Sequence, residues 1–398
     1  MYQFLRKSVI VLATGLFFSA TAVKAQYFPH PTHVIVLIEE NYAYSQIIGS
    51  SAASYAPYLN ALVADSNCAS FSEAYALEHP SQPNYLDFFS GQNQGIYDDY
   101  VPTTYPFTTC NLGASLIAAS KTFVTYSEDL PYPNYDGATY TLGSANYARK
   151  HNPAANWVGT GSNQFSGTVV NLPYQGYFPG SASGSGNFSD LPTVSYVVPN
   201  MTNDMHDGSG PANITLGDKW FHDSLSTLMT WVMDNDALLI ITFDEDDDAH
   251  LNHIPTLFYG LMVRGGTYSR QITLLSMLKT IEQMYGLPSC ANEADSSAIS
   301  FCWKIPTAIK NIAEMPQHNI YAGPNPAKNF IAFADEKIGN SMLTIAVKDE
   351  LGRQLGDYTM NEKTLDISTD NFNNGLYFYT ITNENGVILA NGKFVVAK

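Results

Sequence analysis

The chain has 398 residues, a globular composition and a formal net charge of −17 at pH 7. That length accommodates two or more domains. The acidity argues against nucleic acid and anionic membrane surfaces as partners, but not against a phosphate substrate beside a bound cation.

The N-terminus reads as an export signal. Arg6-Lys7 supplies a basic region, Ser8 to Ala20 an apolar core and Val23-Lys24-Ala25 a small-residue cleavage site, so the mature chain is expected to begin at Gln26. The apolar core is too short to span a bilayer, and no later stretch is long and apolar enough to be a transmembrane segment. Four cysteines follow: Cys68, Cys110, Cys290 and Cys302. An even count in an exported chain points to disulfides, and the most local set, Cys68–Cys110 with Cys290–Cys302, is the expected one. None has CxxC spacing, which argues against a thiolate zinc site.

His33 to Ile38 is an apolar run that reads as a strand buried on both faces, and it ends in Glu39-Glu40-Asn41. Tyr55 to Ala64 reads as a helix. In the segment from Glu78 to Gly91, Pro83 suits the first turn of a helix and Gly91 its end. Ser81 then lies near a helix N-terminus, where it either caps the helix or serves as a nucleophile stabilised by the helix end. Thr122 to Tyr126 is a third strand pattern, followed by Ser127-Glu128-Asp129. From Pro131 to Gly186 the chain is rich in Tyr, Asn, Gly and Ser and reads as long loops. Within it Arg149-Lys150-His151 concentrates positive charge in an acidic chain and is a candidate phosphate contact.

Thr193 to Val198 is a further strand and runs into Asn203-Asp204-Met205-His206-Asp207-Gly208. A helix is expected from Gly217 to about Met233. Leu238 to Phe243 is again a buried-strand run, and it ends in the five acids Asp244 to Asp248. Five adjacent carboxylates repel one another, so a cation is a physical reason to gather them. His250 and His253 follow, then a short strand from Leu257 to Val263 and an amphipathic helix from Thr273 to Tyr285. Polar clusters thus follow the apolar strands repeatedly. This predicts an α/β domain with a mostly parallel sheet and one site at its C-terminal edge. Residues 311–317 read as a linker. Beyond them, alternating apolar and polar residues with Gly- and Asn-rich turns predict a small all-β sandwich at 318–398.

Carboxylate and amide oxygens suit a hard divalent cation, a hydroxyl beside it becomes a better nucleophile, and histidines nearby can protonate a leaving oxygen. Glu40-Asn41, His79-Pro80-Ser81-Gln82-Pro83-Asn84-Tyr85, the Asn203 to Gly208 segment and Phe243-Asp244-Glu245 together resemble the phosphoesterase family of acid phosphatases and bacterial phospholipases C, in the alkaline phosphatase superfamily. The Ser81 segment is also similar to the nucleophile turn of nucleotide pyrophosphatase/phosphodiesterases, with Pro83-Asn84 as the match. The resemblance covers roughly 33–285. It implies an alkaline phosphatase-like three-layer sandwich over 26–310 and a nucleophile at Ser81. It further implies a divalent metal held by Glu40, Asn41, Asp244 and Glu245, and histidines His79, His206 and His253 around the phosphoryl group. Asn84, Asp204 and Asp207 are expected as substrate contacts, with Arg149 and His151 from the basic triplet. Two-zinc members of the superfamily carry an Asp-His pair where this chain has Asp244-Glu245, so one metal is expected and a second ion is left open.

Tyr321-Ala322-Gly323-Pro324-Asn325-Pro326-Ala327, Gly375-Leu376-Tyr377-Phe378 and Gly392-Lys393-Phe394 resemble the C-terminal sorting domain of the type IX secretion system. That resemblance implies delivery through the periplasm to the cell surface or medium, with the secretion machinery as partner. The expectation is an exported, metal-dependent phosphoric ester hydrolase, a phosphomonoesterase acting through a covalent phosphoserine at Ser81. A phospholipase C-type phosphodiesterase is the alternative enzyme, and a non-catalytic surface binding protein the alternative of another class. A sulfatase is disfavoured, because Ser81-Gln82-Pro83-Asn84-Tyr85 lacks the arginine of the sulfatase motif.

Overall fold

The computed structural model describes residues 27–49, 51–290, 296–305, 320–335, 338, 342–383 and 388–398. The signal segment 1–25 and the linker 311–317 lie outside the described residues. The chain divides into two compact units, Met1–Ile305 and Pro306–Lys398.

In chain order, the first unit contains β1 (His33–Glu39), α1 (Tyr44–Ile47), α2 (Pro57–Val63), β2 (Cys68–Phe71), β3 (Ala74–Tyr75), α3 (Ser81–Ser90) and α4 (Leu112–Ala118). There follow β4 (Phe123–Ser127), β5 (Thr139–Leu142), β6 (Ala145–Ala148), β7 (Asn171–Pro173), α5 (Tyr174–Tyr177), β8 (Val194–Val198) and α6 (Pro211–Asp234). The unit closes with β9 (Ala237–Phe243), β10 (Thr256–Tyr259), β11 (Gly266–Tyr268), β12 (Ile272–Thr273) and α7 (Leu274–Tyr285).

The main sheet has eight strands in the order β11-β2-β10-β9-β1-β8-β4-β7. β9, β1, β8, β4 and β7 run parallel, and β10 lies antiparallel to both its neighbours. Every residue of β8 and β9 is buried, as a parallel sheet covered on both faces requires. Adjacent residues of a strand point to opposite faces. Tyr196 therefore faces Phe88 of α3, with ring centroids 5.4 Å apart. On the other face, Tyr126, whose register partner is Val197, meets Phe178 beside Tyr174 and Trp220 of α6. Helices thus cover both faces, the predicted three-layer α/β arrangement.

Two element boundaries differ from the sequence reading. α6 starts at Pro211, which occupies its first turn, rather than at Gly217. The strand expected to reach Val263 stops at Tyr259, because Gly260 follows with φ +158 and its Cα approaches the Ala237 carbonyl so closely that a Cβ would lie 2.7 Å from that oxygen.

The expected disulfide pairing is overturned. Cys110 bonds to Cys290, while Cys68 and Cys302 are free and buried. Cys110 directly precedes Asn111, whose side chain caps α4, and Cys290 follows α7, which packs on α4. Local spacing could not reveal a contact that exists only once those two helices share a face of the sheet.

The second unit is all antiparallel β. It contains β13 (Ile320–Gly323), β14 (Phe330–Asp335), β15 (Leu343–Asp349), β16 (Gln354–Met360), β17 (Thr364–Ser368), β18 (Gly375–Asn383) and β19 (Ile388–Val396). A sheet β13-β14-β17 and a sheet β16-β15-β18-β19 share a core that includes Phe333, Ile345, Val347 and Phe394. β13, β14 and β16 were not among the strands read from sequence.

Candidate active site

The C-terminal ends of β1, β8 and β9 converge. The Asp244 amide donates to the Glu39 carbonyl, and the Glu40 amide to the Asp204 carbonyl, so the three polar clusters are stitched to one another by backbone. α3 brings Ser81 to the same edge as its first residue. The positive end of that helix therefore faces the acids.

Ser81 Oγ lies 3.1 Å from Glu40 Oε2 and 3.0 Å from Glu245 Oε1. One hydroxyl proton serves one acceptor, so one of these carboxylates must be protonated or the oxygens must share a cation. Tyr85, one turn further along α3 on the same face, donates to Glu40 Oε1 at 2.6 Å. Asp244 Oδ1 accepts from the Glu245 amide at 2.7 Å, while its Oδ2 is buried with no hydrogen-bond partner. Glu40, Asp244 and Glu245 each offer an oxygen within 4.8 Å of the others. Burial lifts the pKa of all three, and Asp244 and Asp204 add to the effect at Glu40, as Glu245 does at Asp244. Three crowded buried acids with an orphaned oxygen are what a hard divalent cation would satisfy. Asn41 follows Glu40 in a left-handed conformation, φ 58, and lines the adjoining cavity.

Histidines surround this group. His79 Nδ1 lies 2.6 Å from Glu245 Oε2. His151 sits between Glu40 Oε1 at 3.1 Å and Asp204 Oδ2 at 3.2 Å and stacks on Tyr85. Burial, helped by the Lys150 ammonium and His206, pushes its pKa well below the usual imidazole value. Lys150 Nζ bridges Asp99 Oδ2 at 2.8 Å and His206 Nε2 at 2.9 Å. An ammonium only donates, so His206 Nε2 accepts. The hydrogen of His206 is then on Nδ1, facing Asp207 Oδ1 at 3.0 Å. Burial and Lys150 lower the His206 pKa.

Three expected contacts point elsewhere. Asn84 Oδ1 accepts from the Leu77 and Glu78 amides and its Nδ2 donates to the Glu78 carbonyl, so it shapes the loop before Ser81 and has nothing left for substrate. The buried Arg149 guanidinium donates to the Asp136 and Ala155 carbonyls and Asn156 Oδ1 and lies over Tyr105. His253 Nε2 pairs with the Ser72 carbonyl, and its ring stacks with Tyr44 and Tyr75. Asp204 and Asp207 reach the site through His151 and His206. Of the basic triplet, Lys150 rather than Arg149 reaches His206 and Asp99. The basic triplet was the signal for it, but only the short 3-10 turn Arg149–His151 decides which of its members faces the acids.

Beside His79, His206 and Glu245 opens a cavity of about 660 Å³.

Residues 53–288 match the Phosphoesterase family. The chain belongs to the phosphoesterase family. The chain is accordingly a phosphoric ester hydrolase. The phosphoesterase is 40% identical over 281 residues to a phosphatidylinositol-3-phosphatase of Mycobacterium tuberculosis, a match covering 70% of this chain and 85% of the relative. It is 30% identical over 225 residues to an acid phosphatase of Aspergillus fumigatus, covering 54% of this chain but only 48% of the relative, so it spans about half of that protein's length. Among solved structures, a protein of the alkaline phosphatase superfamily from Vibrio parahaemolyticus overlays with TM-score 0.46 at 11% identity, covering 91% of this chain and 82% of that one. Residues 319–397 of the phosphoesterase match the secretion system C-terminal sorting domain.

Proposed function

We propose that this phosphoesterase is a metal-dependent phosphomonoesterase acting through a covalent phosphoserine at Ser81. The observation that carries the reading is the Ser81 hydroxyl held between Glu40 and Glu245 at the start of α3. Glu40, Asp244 and Glu245 would hold one divalent ion, with Asn41 adjacent. A cation there supplies Lewis-acid stabilisation and makes a neighbouring hydroxyl more acidic.

Ser81 Oγ attacks phosphorus while its proton passes to an adjoining carboxylate, and the bond to the leaving oxygen breaks. His79, at the cavity, gives the leaving alcohol its proton. Lys150 and the N-terminal turn of α3 attract the non-bridging oxygens. His206 lines the cavity, paired with Asp207, and the buried His151 lies 3.1 Å from Glu40 and 3.2 Å from Asp204. Water then attacks the phosphoserine, freeing Ser81 and inorganic phosphate. The names of the mycobacterial and fungal relatives support monoesters as substrates. A phosphodiesterase is the second reading, because the cavity leaves room for another ester substituent. The sorting-domain match, with the export signal read at the N-terminus, supports secretion or surface display through the type IX machinery. Among the described residues, no helix is long and apolar enough to cross a membrane.

The test is hydrolysis of nitrophenyl phosphate and bis(nitrophenyl) phosphate, with and without chelator, by the protein and by Ser81→Ala. Monoester turnover lost with chelator, lowered at least ~10³-fold in the variant, and accompanied by acid-trappable phosphoserine is expected. Full activity in Ser81→Ala would end the phosphoserine reading, and diester preference would select the second.

A further inference from the structure

A phosphoryl group alone needs far less room than the roughly 660 Å³ cavity lined by His79 and by Glu245, the carboxylate that accepts from Ser81. That volume matches sites for organic ligands. Its lining combines two chemistries. One set is apolar: Tyr42, Ala52, Met205 and Ile214 are buried in the wall, and Tyr55 is 40% exposed. Tyr42 is fixed there by its hydroxyl, which donates to the Gly210 carbonyl at 3.3 Å. The other set is acidic. Asp246, Asp247 and Asp248 belong to it, and the Asp248 side chain is 82% exposed. Asp246 is already occupied by the amides of Asp248, His250 and Asn252, so it shapes the loop that presents its two neighbours. Among the described residues lining the cavity there is no Lys or Arg. The site's own cation, Lys150, is engaged by Asp99 and His206.

We propose that this cavity holds the alcohol portion of the ester and selects an uncharged leaving group with a flat apolar face over an anionic one. The inference rests on the phosphomonoesterase reading of Ser81. A flat group lies along Tyr55 and the buried apolar wall, with its polar edge toward the aspartates, which accept hydrogen bonds. A leaving group that is itself a phosphate or phosphodiester meets Asp247 and Asp248 with like charge, set against only the imidazoles of His250 beside Asp247 and His79 beside Asp248. A phosphoinositide head group belongs to this disfavoured class, so the substrate named for the mycobacterial relative is not the one this cavity fits.

The experiment measures kcat/KM on the full chain for 4-methylumbelliferyl phosphate, glycerol 2-phosphate, inorganic pyrophosphate and a soluble short-chain phosphatidylinositol 3-phosphate. The expected order places the methylumbelliferyl ester first and the two substrates with anionic leaving groups last. Tyr55→Ala is expected to lower the ratio of methylumbelliferyl to glycerol ester about 3–10-fold. Asp247→Asn combined with Asp248→Asn is expected to raise pyrophosphate relative to glycerol 2-phosphate on the order of tenfold, with the effect shrinking at high salt. If all four are hydrolysed through Ser81 but neither ratio moves, or if the phosphoinositide leads, the cavity assignment is overturned while the nucleophile stands. If no ester is hydrolysed with any added divalent metal, the reading of Ser81 fails and this inference with it.

Discussion

At Ser81 one hydroxyl proton faces two carboxylates, and the mismatch sets how the site responds to pH. Burial holds Glu40, Asp244 and Glu245 above the ordinary carboxyl range, with values of about 8 and 7 at the latter two. An acid whose pKa is raised on folding stabilises the fold only while protonated, so that contribution falls as pH climbs from about 4 through the raised values. A divalent cation requires the deprotonated acids, and its affinity rises over the same window. Chelator-treated protein is therefore expected to melt lower at pH 8 than at pH 6, with added metal restoring more at pH 8. Thermal melts of the protein and of Asp244→Asn measure this, and the variant should show a smaller pH gap. Lys150 belongs to the same scale. Lys150→Met is expected to lower kcat/KM on the order of 10²-fold by removing charge from the phosphoryl site and freeing the His206 tautomer, with Lys150→Arg in between. Steady-state kinetics of the two variants decide it. The gathering of the acids and Ser81 at one edge of the sheet was legible because each follows an apolar run or opens a helix. Lys150 was not, because neighbours in a turn share a composition but not a direction.

At the scale of elements, α3 does more than carry Ser81. All ten of its residues are buried. It ends at Gly91, whose φ of +74 and contact with the Cys290 carbonyl exclude a Cβ. Burial, with Glu78 adding, lifts Asp87 in its last turns to about 7. This is again a raised acid. It costs stability as pH rises above its unfolded value near 4, and the cost reaches its full size once pH passes about 7. Asp87→Asn is expected to stabilise the protein at pH 8 by on the order of a few kcal/mol, with the gain closing only as pH falls to about 4. Denaturant unfolding at the two pH values is the measurement. Apolar runs located β1, β4, β8 and β9 to within a residue or two, because strands buried on both faces are mostly apolar at consecutive positions. The exposed, alternating strands β13 and β16 escaped that signal, as did β14.

For the whole molecule, the Cys110–Cys290 bond spans 180 residues and ties the start of α4 to the chain beyond α7. Closing so long a loop restricts the unfolded chain. Reduction, or paired Cys110→Ser and Cys290→Ser, is expected to cost about 2–4 kcal/mol. Cys68 and Cys302 are buried with their thiol pKa values pushed up by burial, so the native oxidised protein should resist thiol labelling until denatured. Unfolding with and without reductant, and counting labelled thiols, test both statements. The two units have separate cores.

The sequence by itself determined the fold class, the edge of the sheet at which the polar clusters gather and the presence of two kinds of module. Each of these follows from local patterns: period, run length and the residue types at strand ends. Tertiary structure alone decided the disulfide partners, the choice of Lys150 over Arg149 and the withdrawal of Asn84 and His253 into the framework. It also decided the shape and charge of the cavity beside His79 and Glu245. Those outcomes depend on which distant segments meet and which way a side chain turns, and local sequence constrains neither.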